Sequence, residues 1–249
     1  MILYFSATGN SKHVAKRVAA AVGDSITAID GCAASEQYTF DLINNEPLGI
    51  ISPVYDWGLP SIVRDFLGKA AFMTDKEAYV YFVATYGTTS GQAARMAAEL
   101  LSHGGIKLSA KFSVKMPDTW TVLFDLSNAD KVGTINANAD KEIDGIIPHI
   151  ASHDTGDFSK NKIPYFIAKI AYRHYESVRQ TKHFHILDSC VGCGSCAKNC
   201  PVQAITLENS KPRWVKSKCA MCLRCLHRCP RFSIQYENKT QNHGQYVHP

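Results

Sequence analysis

The sequence predicts an α/β chain in two unequal parts: a doubly wound sheet of five parallel strands, then a small α+β module. Three observations carry this. Short apolar runs alternate with helix-periodic segments over residues 2–152, the pattern of a parallel sheet covered on both faces. Loops rich in hydroxyl, glycine or aromatic residues follow the first, third and fourth of these runs, and a cysteine spacing near the C-terminus occurs twice. At 249 residues the chain can bury one large core or two modest ones.

Residues 2–5, Ile-Leu-Tyr-Phe, form a continuous apolar run, the mark of a buried strand. A helix is expected over 12–22, where Val14, Val18 and Val22 lie four apart among alanines. The loop between them, residues 6–11, therefore sits at a helix N-terminus, where free amides and the positive dipole end collect a phosphate. Ser6, Thr8 and Ser11 add hydroxyl donors. With no Walker lysine and no G-x-G-x-x-G, such a loop suits a flavin mononucleotide (FMN) better than ATP or a dinucleotide. Taken alone, the same composition also makes an ordinary helix-capping turn.

Residues 25–29 are a weak second strand and 47–54 a strong third, ending in Tyr55-Asp-Trp57-Gly58. A helix over 61–67 follows, with Pro60 and Ser61 near its first turn. Residues 78–84 form the fourth strand, running into Thr85-Tyr86-Gly87 and a helix over 92–101 closed by Gly104-Gly105. The fifth strand spans 107–116. The apolar loop 116–124 after it caps a ligand, makes a domain contact or simply covers core. A last helix, 131–152, carries Ile135, Ile143, Ile146, Ile147 and Ile150.

Residues 4–11, Tyr-Phe-Ser-Ala-Thr-Gly-Asn-Ser, resemble the phosphate loop of the flavodoxin family. The resemblance implies strand order 2-1-3-4-5, with ligands beyond the carboxyl ends of strands 1, 3 and 4. The three special loops fall at those three ends. Ser6, Thr8, Gly9, Asn10 and Ser11 would then hold the FMN phosphate. Pro53, Val54, Tyr55, Trp57 and Gly58 would flank the isoalloxazine with Thr85, Tyr86 and Gly87, backbone amides lying near its N1, O2 and N5. Trp57 and Tyr86 are the candidates for stacking on its faces. Each loop has a plainer explanation, a surface aromatic or a simple turn; their joint placement carries the reading.

Polar residues 153–162 mark a boundary. A connecting helix after Pro164 is expected to carry Ile167, Ile170, Ala171, Tyr175 and Val178 on one face. His183 and His185 read as part of a surface linker, with metal binding as the alternative.

The cysteine runs are Cys190-x2-Cys193-x2-Cys196-x3-Cys200-Pro201 and Cys219-x2-Cys222-x2-Cys225-x3-Cys229-Pro230. Three thiolates so spaced converge on one iron–sulfur cube. Tetrahedral zinc usually pairs two C-x2-C units instead, and disulfides require an oxidising compartment that nothing else suggests. The runs resemble the bacterial two-cluster ferredoxins, which implies two [4Fe–4S] clusters. One would be held by Cys190, Cys193, Cys196 and Cys229, the other by Cys219, Cys222, Cys225 and Cys200. Short strands at 204–208 and 233–236 mirror each other behind the runs. Only Cys32 is left over, as a free small apolar residue.

Residues 1–159 carry twelve Lys+Arg against eighteen Asp+Glu, −6; residues 160–249 carry fifteen against four, +11. Basic surface raises nucleic-acid binding as a class, but anionic clusters and an acidic module in the same chain explain it more simply. The basic module is expected to dock on its own acidic partner module or to meet an acidic external protein. No run approaches a membrane span, and residues 1–5 lack the features of a signal peptide, so a cytoplasmic, reducing setting is expected.

The expected organisation is 1–155 flavodoxin-like, 156–187 linker and connecting helix, 188–236 two-cluster ferredoxin, and 237–249 a flexible tail. The whole resembles the flavodoxin–ferredoxin fusion family of anaerobes. That implies an electron-transfer protein joining FMN, a one- or two-electron centre, to one-electron clusters, working with redox partner proteins. The alternative is an iron–sulfur flavoenzyme reducing a small organic substrate or dioxygen, with an opening over the flavin lined by Trp120 and Phe124.

Overall fold

A computed structural model of the chain describes residues 1–42, 46–74 and 77–249. In order, the elements are β1 (Ile2–Tyr4), α1 (Asn10–Val22), β2 (Ile26–Ala28), α2 (Ile29–Ala34), β3 (Thr39–Asp41), β4 (Leu48–Pro53), α3 (Ser61–Leu67), β5 (Ala71–Met73), β6 (Val80–Tyr86), α4 (Ala93–His103), β7 (Ala110–Lys115), α5 (Ala129–Ala151) and β8 (Gly156–Asp157). The second part holds α6 (Tyr165–Val178), β9 (Phe184–Ile186), α7 (Ser195–Lys198), β10 (Ile205–Glu208), β11 (Lys211–Trp214), α8 (Arg224–His227) and β12 (Ile234–Tyr236).

The main sheet is parallel, in the order β2-β1-β4-β6-β7-β8. Its first five members are the five expected strands in the 2-1-3-4-5 arrangement. The additions are β8, a two-residue edge strand drawn from the polar boundary segment, and a separate parallel pair, β3 with β5. Alternation along the strands splits the core between the two faces. Leu3, Ile50 and Phe82 face α2, α3 and α4, whereas Ile2, Ile51 and Val83 meet α1 and α5 through Val14, Val18 and Ile143.

In the second module the two expected strands find separate partners. β10 pairs with β11, and β12 pairs with β9, which precedes the first cysteine run. A third core, including Phe184, Met221, Leu223, Leu226, Ile234 and Tyr236, joins this module to Val122 and Tyr175.

Two expectations need correction here. On the expected apolar face of α6, Tyr175 is buried and Ala171 and Val178 are half-buried, but Ile167 and Ile170 are 38% and 67% exposed. Polar tips on aromatic rings orient this helix instead of an aliphatic stripe. The Tyr172 hydroxyl donates to Leu59 O and the Tyr175 hydroxyl to Ala220 O, each at 2.8 Å, and Arg64 pairs with Glu176. Residues 237–249 do not project freely. Thr240 and Tyr246 are buried, Gln245 Nε2 donates to Leu226 O and Cys229 O, and His248 N donates to Thr8 O at 2.7 Å. A polar segment packs when its donors meet free carbonyls at the ends of other elements, which composition alone does not reveal.

Candidate functional site

The phosphate-loop candidate joins β1 to α1. Ser6, Thr8, Asn10 and Ser11 are all buried. Gly9 has φ 106°, and a Cβ there would lie 2.8 Å from the Cβ of His248, so the loop closes as tightly as it does only with glycine. Its carbonyls are bonded from outside: Ser6 O accepts from Arg224 Nη2 at 2.8 Å, Ala7 O from Arg228 Nε at 3.2 Å and Thr8 O from the tail. The first-turn amides of α1 have no intrahelical partners and are left for an anion. Ser11 Oγ lies 2.8 Å from Thr85 Oγ1, and Asn10 Nδ2 donates to Pro117 O, tying this loop to the end of β6 and to the loop after β7.

The loop after β4 is a two-residue hairpin. Tyr55 and Gly58 exchange backbone hydrogen bonds of 2.9 Å, with Asp56 and Trp57 both at positive φ. This is the turn geometry usually given to Asn-Gly, and non-glycine residues hold it at a cost in strain. Gln92 N, at the start of α4, donates to Trp57 O at 2.7 Å and locks the hairpin against the following loop.

These loops line one cavity of about 830 Å³, within the range of cofactor sites. Of the thirteen residues expected there, Ser6, Thr8, Asn10, Ser11, Pro53, Val54, Tyr55, Trp57, Thr85, Tyr86 and Gly87 line it. Gly9 and Gly58 do not. Gly9 backs onto His248, and Gly58 packs against Tyr172 and Met96. Tyr86 is only 3% exposed and its hydroxyl is held by Asn161 Nδ2 at 2.8 Å.

Loop 116–124, for which capping a ligand is one expectation, does line the cavity through Trp120 and Phe124 and adds Asp118; α6, which sequence reasoning missed, contributes Ala171, His174 and Val178. The cysteine module contributes Met221, Cys222, Leu223 and Tyr236. Loop 116–124 was detectable through its apolar run; the cysteine-module residues carried no signal, because their position depends on docking. Asp118 presses on Gly87, whose missing side chain makes room for it, and burial holds its carboxyl above the usual carboxylate range. Burial also pushes the Tyr55 hydroxyl well up.

A smaller cavity of about 20 Å³ is lined by Cys190, Cys193, Cys196 and Cys229, with Pro212, Arg231 and Ile234 among its other residues. Burial raises the Cys225 thiol, with Cys222, Cys219, Cys200 and Cys196 all near enough to add to it, and burial raises Cys196, near Cys229 and Cys193. Burial pushes the Cys219 and Cys222 thiols up to about 12 and about 11, so loading metal here must expel protons. Among the described residues, no three His, Cys, Asp or Glu side chains converge on a single ion.

The module is held to the sheet by Arg224. Its guanidinium lies 2.5 Å from Asp30, with both side chains below 20% exposed, and 5.5 Å from the Phe5 ring. His227 Nε2 lies 2.9 Å from Thr119 O, and Tyr246 N donates to its Nδ1.

A family model described as a flavodoxin domain matches residues 1–144, and one described as a 4Fe-4S dicluster domain matches residues 182–230. A comparison with curated proteins finds no match. Among solved structures, the chain is similar to the Streptococcus pneumonia TIGR4 flavodoxin at 16% identity and TM-score 0.37, over 58% of this chain and 96% of that one. It is similar to an FMN-dependent NADH-azoreductase from Bacillus anthracis str. Ames Ancestor at 12% identity and TM-score 0.35, over 60% and 99%. For the rubredoxin oxygen:oxidoreductase of Desulfovibrio gigas the values are 15% and 0.33, over 60% of this chain and 36% of that one. Scores this low carry no argument, and the assignment rests on the two family models.

Proposed function

The chain belongs to the flavodoxin family through residues 1–144 and joins to it a 4Fe-4S dicluster domain, and from that premise we propose that it passes electrons between FMN and two [4Fe–4S] clusters. The coarse role, electron transfer by a flavodoxin domain with an iron–sulfur domain, follows from the domains themselves. The observation that supports direct coupling is the position of Cys222, which lines the same cavity as Ser6, Trp57 and Gly87.

FMN supplies a centre that holds one or two electrons, and each cluster supplies a one-electron centre. The chain's own residues bind and position them. Loop 6–11 offers hydroxyls and helix-terminal amides to the phosphate, while Tyr55, Trp57 and Tyr86 bound the ring space. Cys190, Cys193, Cys196 and Cys229 would hold one cluster, and Cys219, Cys222, Cys225 and Cys200 the other. Cys229 lines the small cavity with Cys190, Cys193 and Cys196, which supports its crossing to the first run. Docking through Arg224 brings Cys222 to the flavin space and excludes water from the junction, where Met221 and Leu223 are buried.

The proposed domain limits are 1–155, 156–187, 188–236 and 237–249. The packing of residues 240–248 argues for a structured last segment rather than a flexible one.

A second reading, reduction of a small organic substrate or dioxygen at the flavin, is favoured by one observation. The cavity extends past the expected flavin residues to Trp120, Leu123 and Phe124.

Anaerobic purification with iron, sulfide and flavin quantitation, followed by reductive titration, tests the proposal. About eight iron and one FMN per chain, titrating together, is the expected result. Full iron without flavin would remove the FMN assignment. Oxidation of the reduced protein by a small organic acceptor at enzymatic rates would favour the second reading.

A further inference from the structure

We infer that the face around Cys193 is the port at which a small acidic one-electron redox protein docks, so that electrons run between the flavin space and this face through the two clusters in series. The inference rests on the two-cluster reading.

The two cysteine sets face different ways. Cys222 lines the flavin-side cavity and packs against the core of the sheet. The small cavity bounded by Cys190, Cys193, Cys196 and Cys229 is lined by residues of the cysteine module alone, none from the sheet. Cys193 is exposed. Val191, beside it, is 61% exposed, and Leu207, which closes over Gly194, is 45% exposed. A thin apolar patch over a cluster is where an external centre can approach closely without contacting the flavin.

Charge chooses the occupant. The arginines nearest the sheet are engaged internally, Arg224 on Asp30 and Ser6 O, Arg228 on Ala7 O. Lys211 and Arg231 border the outer patch, with Arg213 also on β11. Lys211 Nζ donates to Cys190 O at 3.1 Å, Arg231 lines the cavity with no ion pair among the described residues, and Arg213 is paired only with the exposed Glu208. Asp188 is the exposed acid nearest in sequence. A basic rim around an apolar centre selects an acidic surface and orients it during encounter. The step needs no bond or proton: one electron leaves the outer cluster and one reduces the iron–sulfur or flavin centre of the carrier, or the reverse.

The test uses the loaded full chain, with iron and flavin quantified first, and an acidic two-cluster ferredoxin as probe. Binding is read by titration calorimetry and electron exchange by stopped flow. Expected are binding that weakens with added salt and a loss of about tenfold in affinity and association rate on Lys211→Glu with Arg231→Glu, compared per chain carrying the parent's iron and flavin content. Lys211→Gln with Arg231→Gln should give a smaller loss, which separates charge from damage to the cluster. Unchanged binding in the charge-reversed variant, at full iron content, would overturn the inference alone. So would preference for a basic cytochrome, or a salt-sensitive dimer in which a second copy covers this face. Half the expected iron would sink the two-cluster reading and the inference together.

Discussion

Asp118 shows how one residue sets conditions for the site. Its carboxyl lies in the cavity wall against Gly87, accepts a hydrogen bond from Trp120 N at 3.1 Å, and is held above its usual pKa by burial. A carboxyl raised on folding favours the protonated chain. Its contribution is present below the unfolded value, near 3.9, and is lost as pH rises through the folded value. Asp118→Asn should therefore raise the thermal midpoint at pH 7 and flatten its fall as pH rises above the unfolded carboxyl value. It should also tighten FMN binding, by removing an anion near the phosphate-bearing ligand. A midpoint lowered equally at every pH would contradict this. Gly9→Ala places a side chain at φ 106° and against His248. It should cost at least about 1 kcal/mol in strain and weaken FMN binding in a fluorescence titration, with iron content unaffected.

Among elements, α8 and its arginines decide whether the two modules form one unit. Arg224 and Asp30 are largely removed from water, and removing one partner of such a pair strands the other. Arg224→Ala should cost about 3 kcal/mol, seen as earlier unfolding in denaturant. A double-mutant cycle with Asp30→Asn should then recover part of the loss. α6 works from the other side: Tyr175 bridges Ser61 N at 3.1 Å and Ala220 O at 2.8 Å. Tyr175→Phe should cost about 1–3 kcal/mol by leaving buried groups unpaired, and independent melting of the iron–sulfur and flavin signals would reveal the loosened junction.

Over the whole molecule, −6 on residues 1–159 faces +11 on residues 160–249, yet the junction is built from desolvated contacts: Arg224 with Asp30, His227 with Thr119 O, and the 240–248 segment over loop 6–11. Exposed charges are screened by salt and buried ones much less. Reduction of the clusters by flavin within one chain should therefore change little between low salt and about 0.5 M salt. A steep slowing would mean that the module swings free and meets the flavin by electrostatic encounter.

Local chemistry determined a good deal of this. Continuous apolar runs placed the five sheet strands, and strand-end composition placed eleven of the cavity's lining residues. Repeated cysteine spacing identified the metal module. These signals are short-range, so they survive in the sequence. Only the tertiary structure turned α6 on its tyrosines, drew residues 240–248 across loop 6–11 and brought Cys222 into the cavity that loop lines. Each depends on carbonyls, rings and charges far apart in the chain finding one another, and period and composition carry no record of such pairings.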